Sequence, residues 1–328
     1  MTPVRFGVIG VGIIGRQHVA RLLADNGTAE LVAIADSSED AARAVAAEYG
    51  TEAMPLGSLL ARADVDAIVI AIPSGLHADV AVAALEAGKH VLLEKPIDVT
   101  VEAADRIIAA ERRSGRVLSV VSQRRFLPES QFLHRSIRSG VFGSITSATV
   151  EIALWRTQEY YDSGAWRGTW ALDGGGALMN QGVHMVDMIL WLLGEVEEVH
   201  AYGGLLAHEN IEVEDTISIT ARFASGAVLT FLASTTAFGD LPIRVAIMGD
   251  GGTAVTAAGK FEHFVSAQGS EPPEFASRDM EREQLVDFVE AIQCDREPLV
   301  TSSQARAAVA FIEAAYESMR TGRAVRPR

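Results

Sequence analysis

Strand-like and helix-like segments alternate along the first third of the chain. Val4 to Ile9, Leu31 to Ala35, Ala67 to Ile72, His90 to Leu93 and Val117 to Val121 read as apolar strands, and Ile13 to Ala24, Glu39 to Tyr49, His77 to Ala87 and Val101 to Arg113 as the helices between them. Helical crossovers between successive strands imply a parallel sheet covered on both faces, the doubly wound α/β arrangement. Ligands of such a sheet bind beyond the C-terminal ends of its strands.

The alternation stops after Gln123, where Arg124-Arg125-Phe126-Leu127-Pro128 leads into a helix from about Glu129 to Ser139. Longer strand candidates follow, Ile145 to Leu154, Glu197 to Tyr202, Asp215 to Phe223, Ala227 to Ala237 and Ile243 to Gly249, with Gly turns at Ser225-Gly226 and Asp250-Gly251-Gly252. They predict a mainly antiparallel open sheet, hence an α+β domain. Gly269 to Glu274 reads as a loop, and two helices, Met280 to Gln293 and Ser303 to Arg320, close the chain. The expected domains are 1–123 and 124–328, with the C-terminal helix able to pack back on the first.

A chain of 328 residues with 48% hydrophobic content is long enough for two cores. A net charge of -15 without any Lys/Arg cluster argues against nucleic acid or an anionic membrane as partner. The single cysteine, Cys294, allows neither an intrachain disulfide nor a Cys-based metal site and fits a reducing compartment. The first strand starts close behind Met1, which predicts no leader, and no apolar run approaches the ~20 residues of a spanning helix. A soluble cytoplasmic protein is expected.

Behind the first strand, Gly10, Gly12 and Gly15 stand in the spacing G-x-G-x-x-G. The first glycine permits the tight turn, the second lets backbone approach a pyrophosphate, and the third lets the next helix, opened by Ile13 and Ile14, pack close. The helix N-terminus then receives the anion. The second strand ends in Asp36, followed by Ser37, and a carboxylate there accepts hydrogen bonds from ribose hydroxyls. It would also repel a 2'-phosphate, so NAD is expected, with NADP as the alternative. The other reading of Asp36 is the N-cap of the following helix.

Three further groups lie where this architecture would place chemistry. Pro73, Ser74 and His77 follow the third strand, with His77 read either as cofactor contact or as a helix-start residue satisfied by backbone. Glu94-Lys95-Pro96 follows the fourth, where a lysine can polarise or protonate a substrate oxygen and the X-Pro bond can be cis. The run from Gly174 to Asp187 is read as helical from about Met179, which places Asn180, His184 four residues on, and Asp187 three further, on one face. A histidine between an amide and a carboxylate is a candidate proton carrier; the other reading is a cap on a buried polar network. Its spacing gives weak support for a metal, and none is expected. Trp166 and Arg167 precede the glycine run, an indole suited to a sugar's C–H face and a fork of donors for hydroxyl or carboxylate groups. Trp170 is undecided between core and site, and Tyr160 and Tyr161 lie in a loop the sequence does not place.

Taken in this order, the Gly10-Gly12-Gly15 turn, the Pro73 to His77 segment, Glu94-Lys95-Pro96, the Gln123 to Phe126 crossing, the Gly174 to Asp187 run and the final helix pair resemble the Gfo/Idh/MocA oxidoreductases across nearly the whole chain. The resemblance implies a Rossmann domain followed by a substrate-binding domain whose open sheet mediates dimers or tetramers, and a metal-free, reversible hydride exchange between nicotinamide and a sugar or polyol carbon. Lys95 then matches the lysine that binds the reacting hydroxyl, and His184 the general acid/base, with Asn180 and Asp187 beside it. Gln123 joins the cofactor contacts, and Arg124, Trp166 and Arg167 the substrate contacts. Many inositol dehydrogenases of the family carry Asp where this chain has Asn180, and Asn there also occurs in members acting on nucleotide-linked sugars. A dehydrogenase of such sugars, or a non-catalytic NAD(P)-binding sensor of the same fold, is the alternative.

Overall fold

The computed structural model describes residues 2–25 and 27–328. It forms two compact units, the chain up to Val121 with Glu281–Arg306, and Ser122–Met280 with Ala307–Arg328.

In the first unit, β1 (Val4–Ile9), β2 (Ala29–Ala35), β3 (Glu52–Ala53), β4 (Ala67–Ile70), β5 (His90–Leu93) and β6 (Leu118–Val120) form one sheet in the order β3-β2-β1-β4-β5-β6. All five pairings are parallel. The order reverses between β1 and β4, which opens a crevice at the C-terminal ends of these strands. Phe6, Val8, Ile34, Ile68, Ile70, Val91 and Leu93 are fully buried, each contributing about 1.5–3 kcal/mol. Helix Glu39–Tyr49 starts at Ser38, whose Oγ accepts the Ala41 N–H, and helix Val101–Ser114 starts at Thr100, which does the same for Ala103. Helix Met280–Gln293 covers the sheet late in the chain: Phe288 packs against Phe6 with ring centroids 6.1 Å apart, and Gln284 Nε2 donates to the Val120 carbonyl at 2.8 Å.

In the second unit, β7 (Ile145–Ala153), β8 (Val196–Gly204), β9 (Thr216–Phe223), β10 (Val228–Ser234), β11 (Arg244–Gly249), β12 (Gly252–Ala257) and β13 (Lys260–Ser266) form a sheet in the order β13-β12-β11-β7-β10-β9-β8. Only β7 and β10 run parallel; the remaining pairs are antiparallel. Along β9 buried and exposed residues alternate, so one face is covered and the other open. β12 and β13 lie outside the strands the sequence pattern predicts: β12 is Gly-Thr-Ala-Val-Thr-Ala with one fully buried residue, and the edge strand β13 has none. The regular helix predicted from about Met179 is not what forms. The structure instead has a π-helical run at Ala177–Gly182 and α-helix only from Val183 to Leu193, because Gly176 and Gly182 flank a wider turn packed under β9 and β10.

The turn Gln123–Phe126 is pinned to helix Val183–Leu193 by an ion pair. Arg125, 1% exposed, places Nε 2.7 Å and an Nη 2.5 Å from the two carboxylate oxygens of Asp187, which also accepts the Ser122 hydroxyl. The guanidinium carbon lies 5.5 Å from the ring centroid of Trp191. Asp187→Ala would leave this cation buried without its counter-charge. Urea unfolding should show a loss of about 3–5 kcal/mol, and a loss below about 1 kcal/mol would contradict the pairing.

Candidate active site

The glycine turn has steric reasons at two positions. Gly10 sits at φ +90°, and a Cβ there would lie 2.3 Å from the Ala71 carbonyl oxygen; a Cβ on Gly15 would lie 1.9 Å from the Gly10 carbonyl oxygen. Gly12 differs, since a Cβ there would meet nothing within 4 Å. It stands at the N-cap of helix Ile13–Leu23 without a side-chain cap, leaving first-turn N–H groups open to an anion. Ile13 and Ile14 are 73% and 45% exposed beside it. Asp36 joins the two turns: one oxygen accepts the Val11 N–H and the other the Ser38 N–H, each at 2.9 Å, with the exposed Ser37 hydroxyl 3.4 Å away. Ser38, rather than Asp36, caps the following helix. An open helix N-terminus and an oriented carboxylate at the ends of β1 and β2 fit a dinucleotide's pyrophosphate and ribose.

The loops after β4 and β5 are tied to each other. His77 is fully buried, with Nδ1 2.8 Å from the Pro96 carbonyl and Nε2 3.1 Å from that of Ile72. Burial holds its pKa below the usual imidazole range against the pull of those carbonyls. Its ring braces the two loops from below, the backbone-satisfied arrangement, while Pro73 and the buried Ser74 form the turn above. The Lys95–Pro96 peptide is cis. Asp98 accepts the Ala78 N–H at 2.8 Å and the Val99 N–H at 2.6 Å, closing the start of helix His77–Glu86. Glu94 Oε1 meets His18 Nε2 at 2.8 Å, and its other oxygen accepts the Lys95 N–H at 3.2 Å. Burial works to raise the Glu94 pKa, but the His18 hydrogen bond and the Lys95 charge prevail and hold it near about 2. The half-buried Lys95 therefore stands beside a carboxylate that stays ionised. His18 escaped the sequence reading; its position three residues beyond Gly15, on the dinucleotide helix, was the available signal.

In the second unit the glycine run is shaped by Glu214. This buried carboxylate accepts the N–H groups of Gly176 and Leu178 at 3.0 and 2.8 Å and the Tyr316 hydroxyl at 3.0 Å, and that hydroxyl accepts the Met179 N–H. A Cβ on Gly176 would lie 1.8 Å from the Glu214 carbonyl oxygen, and one on Gly175 2.0 Å from the Tyr316 hydroxyl. Neither Glu214 nor Tyr316 was singled out in the sequence, because both lie far from the glycines along the chain. The run delivers Asn180 and His184, both half-buried. Asn180 Nδ2 donates to Asp173 at 2.5 Å and its Oδ1 accepts Gln181 Nε2 at 2.9 Å. Asp187, three residues beyond His184, is committed to Arg125 and Ser122, so the carboxylate holding the Asn180 amide is Asp173. Tyr160, Trp166 and Arg167 belong to the same region: Arg167 donates to the Tyr160 hydroxyl at 2.7 Å and stacks on both rings. Trp170 packs edge-on against Tyr316 at 5.1 Å, and Tyr161 hydrogen-bonds Thr235. Arg124 lines an apolar hollow with Leu133, Met185 and Met188, and the buried Gln123 Oε1 has no hydrogen-bond partner among the described residues.

Burial raises the Glu214 pKa to about 7, against the three donors that favour its ionised form. A carboxyl whose folded pKa is raised binds more protons folded than unfolded, so stability falls as pH rises from about 4.5 to about 7. Urea unfolding at pH 5 and pH 7.5 should show a decline on the order of 1–3 kcal/mol that Glu214→Gln removes. An equal decline in that variant would contradict the assignment.

Residues 4–122 match the family model described as "Oxidoreductase family, NAD-binding Rossmann fold", and residues 130–255 match the "GFO/IDH/MocA C-terminal domain". Inositol 2-dehydrogenase of Rhizobium meliloti (strain 1021) is 29% identical over 96% of this chain and 97% of its own length. Inositol 2-dehydrogenase of Acidothermus cellulolyticus is 31% identical over 78% of this chain and 73% of its own. Among solved structures, the WlbA dehydrogenase from Bordetella pertussis, in complex with NADH and UDP-GlcNAcA, superposes with a TM-score of 0.91 at 33% identity, covering 99% of this chain and 98% of that one. With an NAD-binding Rossmann unit, a matching C-terminal domain and relatives of this extent, the chain belongs to the Gfo/Idh/MocA family of oxidoreductases.

Proposed function

We propose that this protein is an NAD-dependent dehydrogenase that moves a hydride reversibly between a hydroxyl-bearing carbon of a sugar or cyclic polyol and the nicotinamide, without a metal. NADP is the alternative cofactor. The observation that carries the reading is the ionised Glu94, fixed by His18 and lying beside Lys95 at the end of β5 in an NAD-binding unit. Relatives named inositol 2-dehydrogenase, scyllo-inositol 2-dehydrogenase (NAD(+)) and D-glucoside 3-dehydrogenase support the substrate class.

Gly10, Gly12, Gly15, Ile13 and Ile14 would hold the dinucleotide, with Asp36 and Ser37 at the ribose and Pro73, Ser74, Glu94 and Gln123 lining its path. When bound, the nicotinamide supplies the hydride acceptor and donor. Lys95 Nζ donates a hydrogen bond to the oxygen on the reacting carbon and stabilises the developing alkoxide. The His184 imidazole takes that hydroxyl's proton during oxidation and returns it during reduction. Asn180, with its amide held at both ends, binds a neighbouring hydroxyl. Asp187 acts as a positioning residue, through the ion pair that fixes the helix carrying His184. Arg124, Trp166 and Arg167 contact substrate. We place the protein in the cytoplasm as a homodimer or homotetramer; among the described residues no helix is long and apolar enough to cross a membrane.

Lys95→Ala and His184→Ala should each lower kcat roughly 10²–10⁴-fold on a good substrate. NADH affinity, read by fluorescence titration, should stay within about threefold, since neither side chain enters the pyrophosphate contacts. Turnover near the wild-type value in either variant would overturn the assignment.

A further inference from the structure

Two arginines beside Asn180 have no carboxylate to answer them. The guanidinium carbons of Arg156 and Arg167 lie 5.4 and 4.3 Å from the ring centroid of Tyr160, and that of Arg167 lies 4.5 Å from the ring of Trp166. Both side chains are half-buried. A guanidinium carries five N–H donors. Arg156 gives one to the Trp155 carbonyl and one to Gln181 Oε1, both at 2.9 Å, and Arg167 gives one to the Tyr160 hydroxyl at 2.7 Å. All three acceptors are neutral, and neither arginine forms an ion pair among the described residues. The buried Arg125, by contrast, meets the Asp187 carboxylate.

The carboxylates of this region are engaged elsewhere. Asp173 takes the Asn180 amide and the Gly168 N–H, Glu212 takes the Trp170 N–H, and Asp215 takes His208 with the N–H groups of Leu206 and Ala207. The Tyr160 hydroxyl oxygen accepts from Arg167 and, at 3.3 Å, from Gln181 Nε2, so its own hydrogen remains to donate. Half-burying two cations without a counter-charge is unfavourable unless an anion arrives. Stacking fixes both planar forks in advance, which lowers the entropy lost when they grip an oxyanion. Gln181 links the group to Asn180 and through the π-helical run to His184.

We propose that Arg156, Arg167 and the Tyr160 hydroxyl form an anion subsite, and that the substrate carries an oxyanion, either a carboxylate on the sugar or a phosphoryl group attached to it. The proposal deepens the dehydrogenase reading and rests on it for the chemistry at His184. It is tested with a matched panel of neutral sugars and inositols, the corresponding uronates, and sugar phosphates, assayed with NAD and titrated calorimetrically into the NADH-loaded protein. Preference for uronates identifies the carboxylate source, and preference for sugar phosphates the phosphoryl source. Arg156→Gln and Arg167→Gln should each lower the anionic-over-neutral selectivity in kcat/KM about 10- to 100-fold, mostly through KM, and Arg167→Lys should lower it less. A merely structural role would lower both substrate classes equally and would overturn the proposal. So would turnover of neutral polyols with no anion preference, which leaves the dehydrogenase reading intact. Arginine-dependent anion binding without turnover of any panel member would uphold the subsite and overturn the dehydrogenase reading instead. Absence of any anion binding would sink the subsite.

Discussion

A single buried carboxylate organises the histidine-bearing half of the site. Glu214 gathers the Gly176 and Leu178 N–H groups and the Tyr316 hydroxyl, and through them fixes where the π-helical run begins. The backbone groups of a tightly folded glycine run need partners once water is excluded, and a carboxylate can accept several at once. Tyr316 extends the arrangement by accepting the Met179 N–H, so a residue near the end of the chain positions the segment carrying Asn180. The glycines are required because backbone and hydroxyl occupy the space a side chain would fill.

The first unit solves a different problem, since its loops must converge at the ends of parallel strands without strands of their own to hold them. Side chains that reach across do this work. Asp36 ties the turn after β1 to the turn after β2, His77 and Asp98 tie the turn after β4 to the one after β5, and His18 ties the dinucleotide helix to Glu94. Apart from the Asp36–Ser38 link, each contact joins residues distant in sequence, and the buried polar groups among them would be costly to bury without their partners.

That distinction accounts for what the sequence made legible. Local signals carried the parallel sheet, the glycine turn, Asp36 and the Lys95 and His184 motifs, because strand periodicity, turn chemistry and motif spacing are written in adjacent residues. The partners of those residues were not legible. His18, Glu214, Tyr316 and Asp173 lie outside the motifs they support, and Asp187, expected beside the histidine, turns to Arg125. β12 and β13 escaped because only one of their residues is fully buried, and the π-helical run because its residues look like ordinary helix formers.

The π-helical run has an evolutionary corollary. It holds one residue more per turn than an α-helix, in a stretch joined directly to helix Val183–Leu193. Deleting one codon there would tighten the run towards regular winding and re-aim the side chains inside it, Asn180 among them, while the downstream helix and its histidine stay seated. A lineage with this architecture can exchange the amide it shows to a ligand through a change in length, with the proton-handling group left untouched.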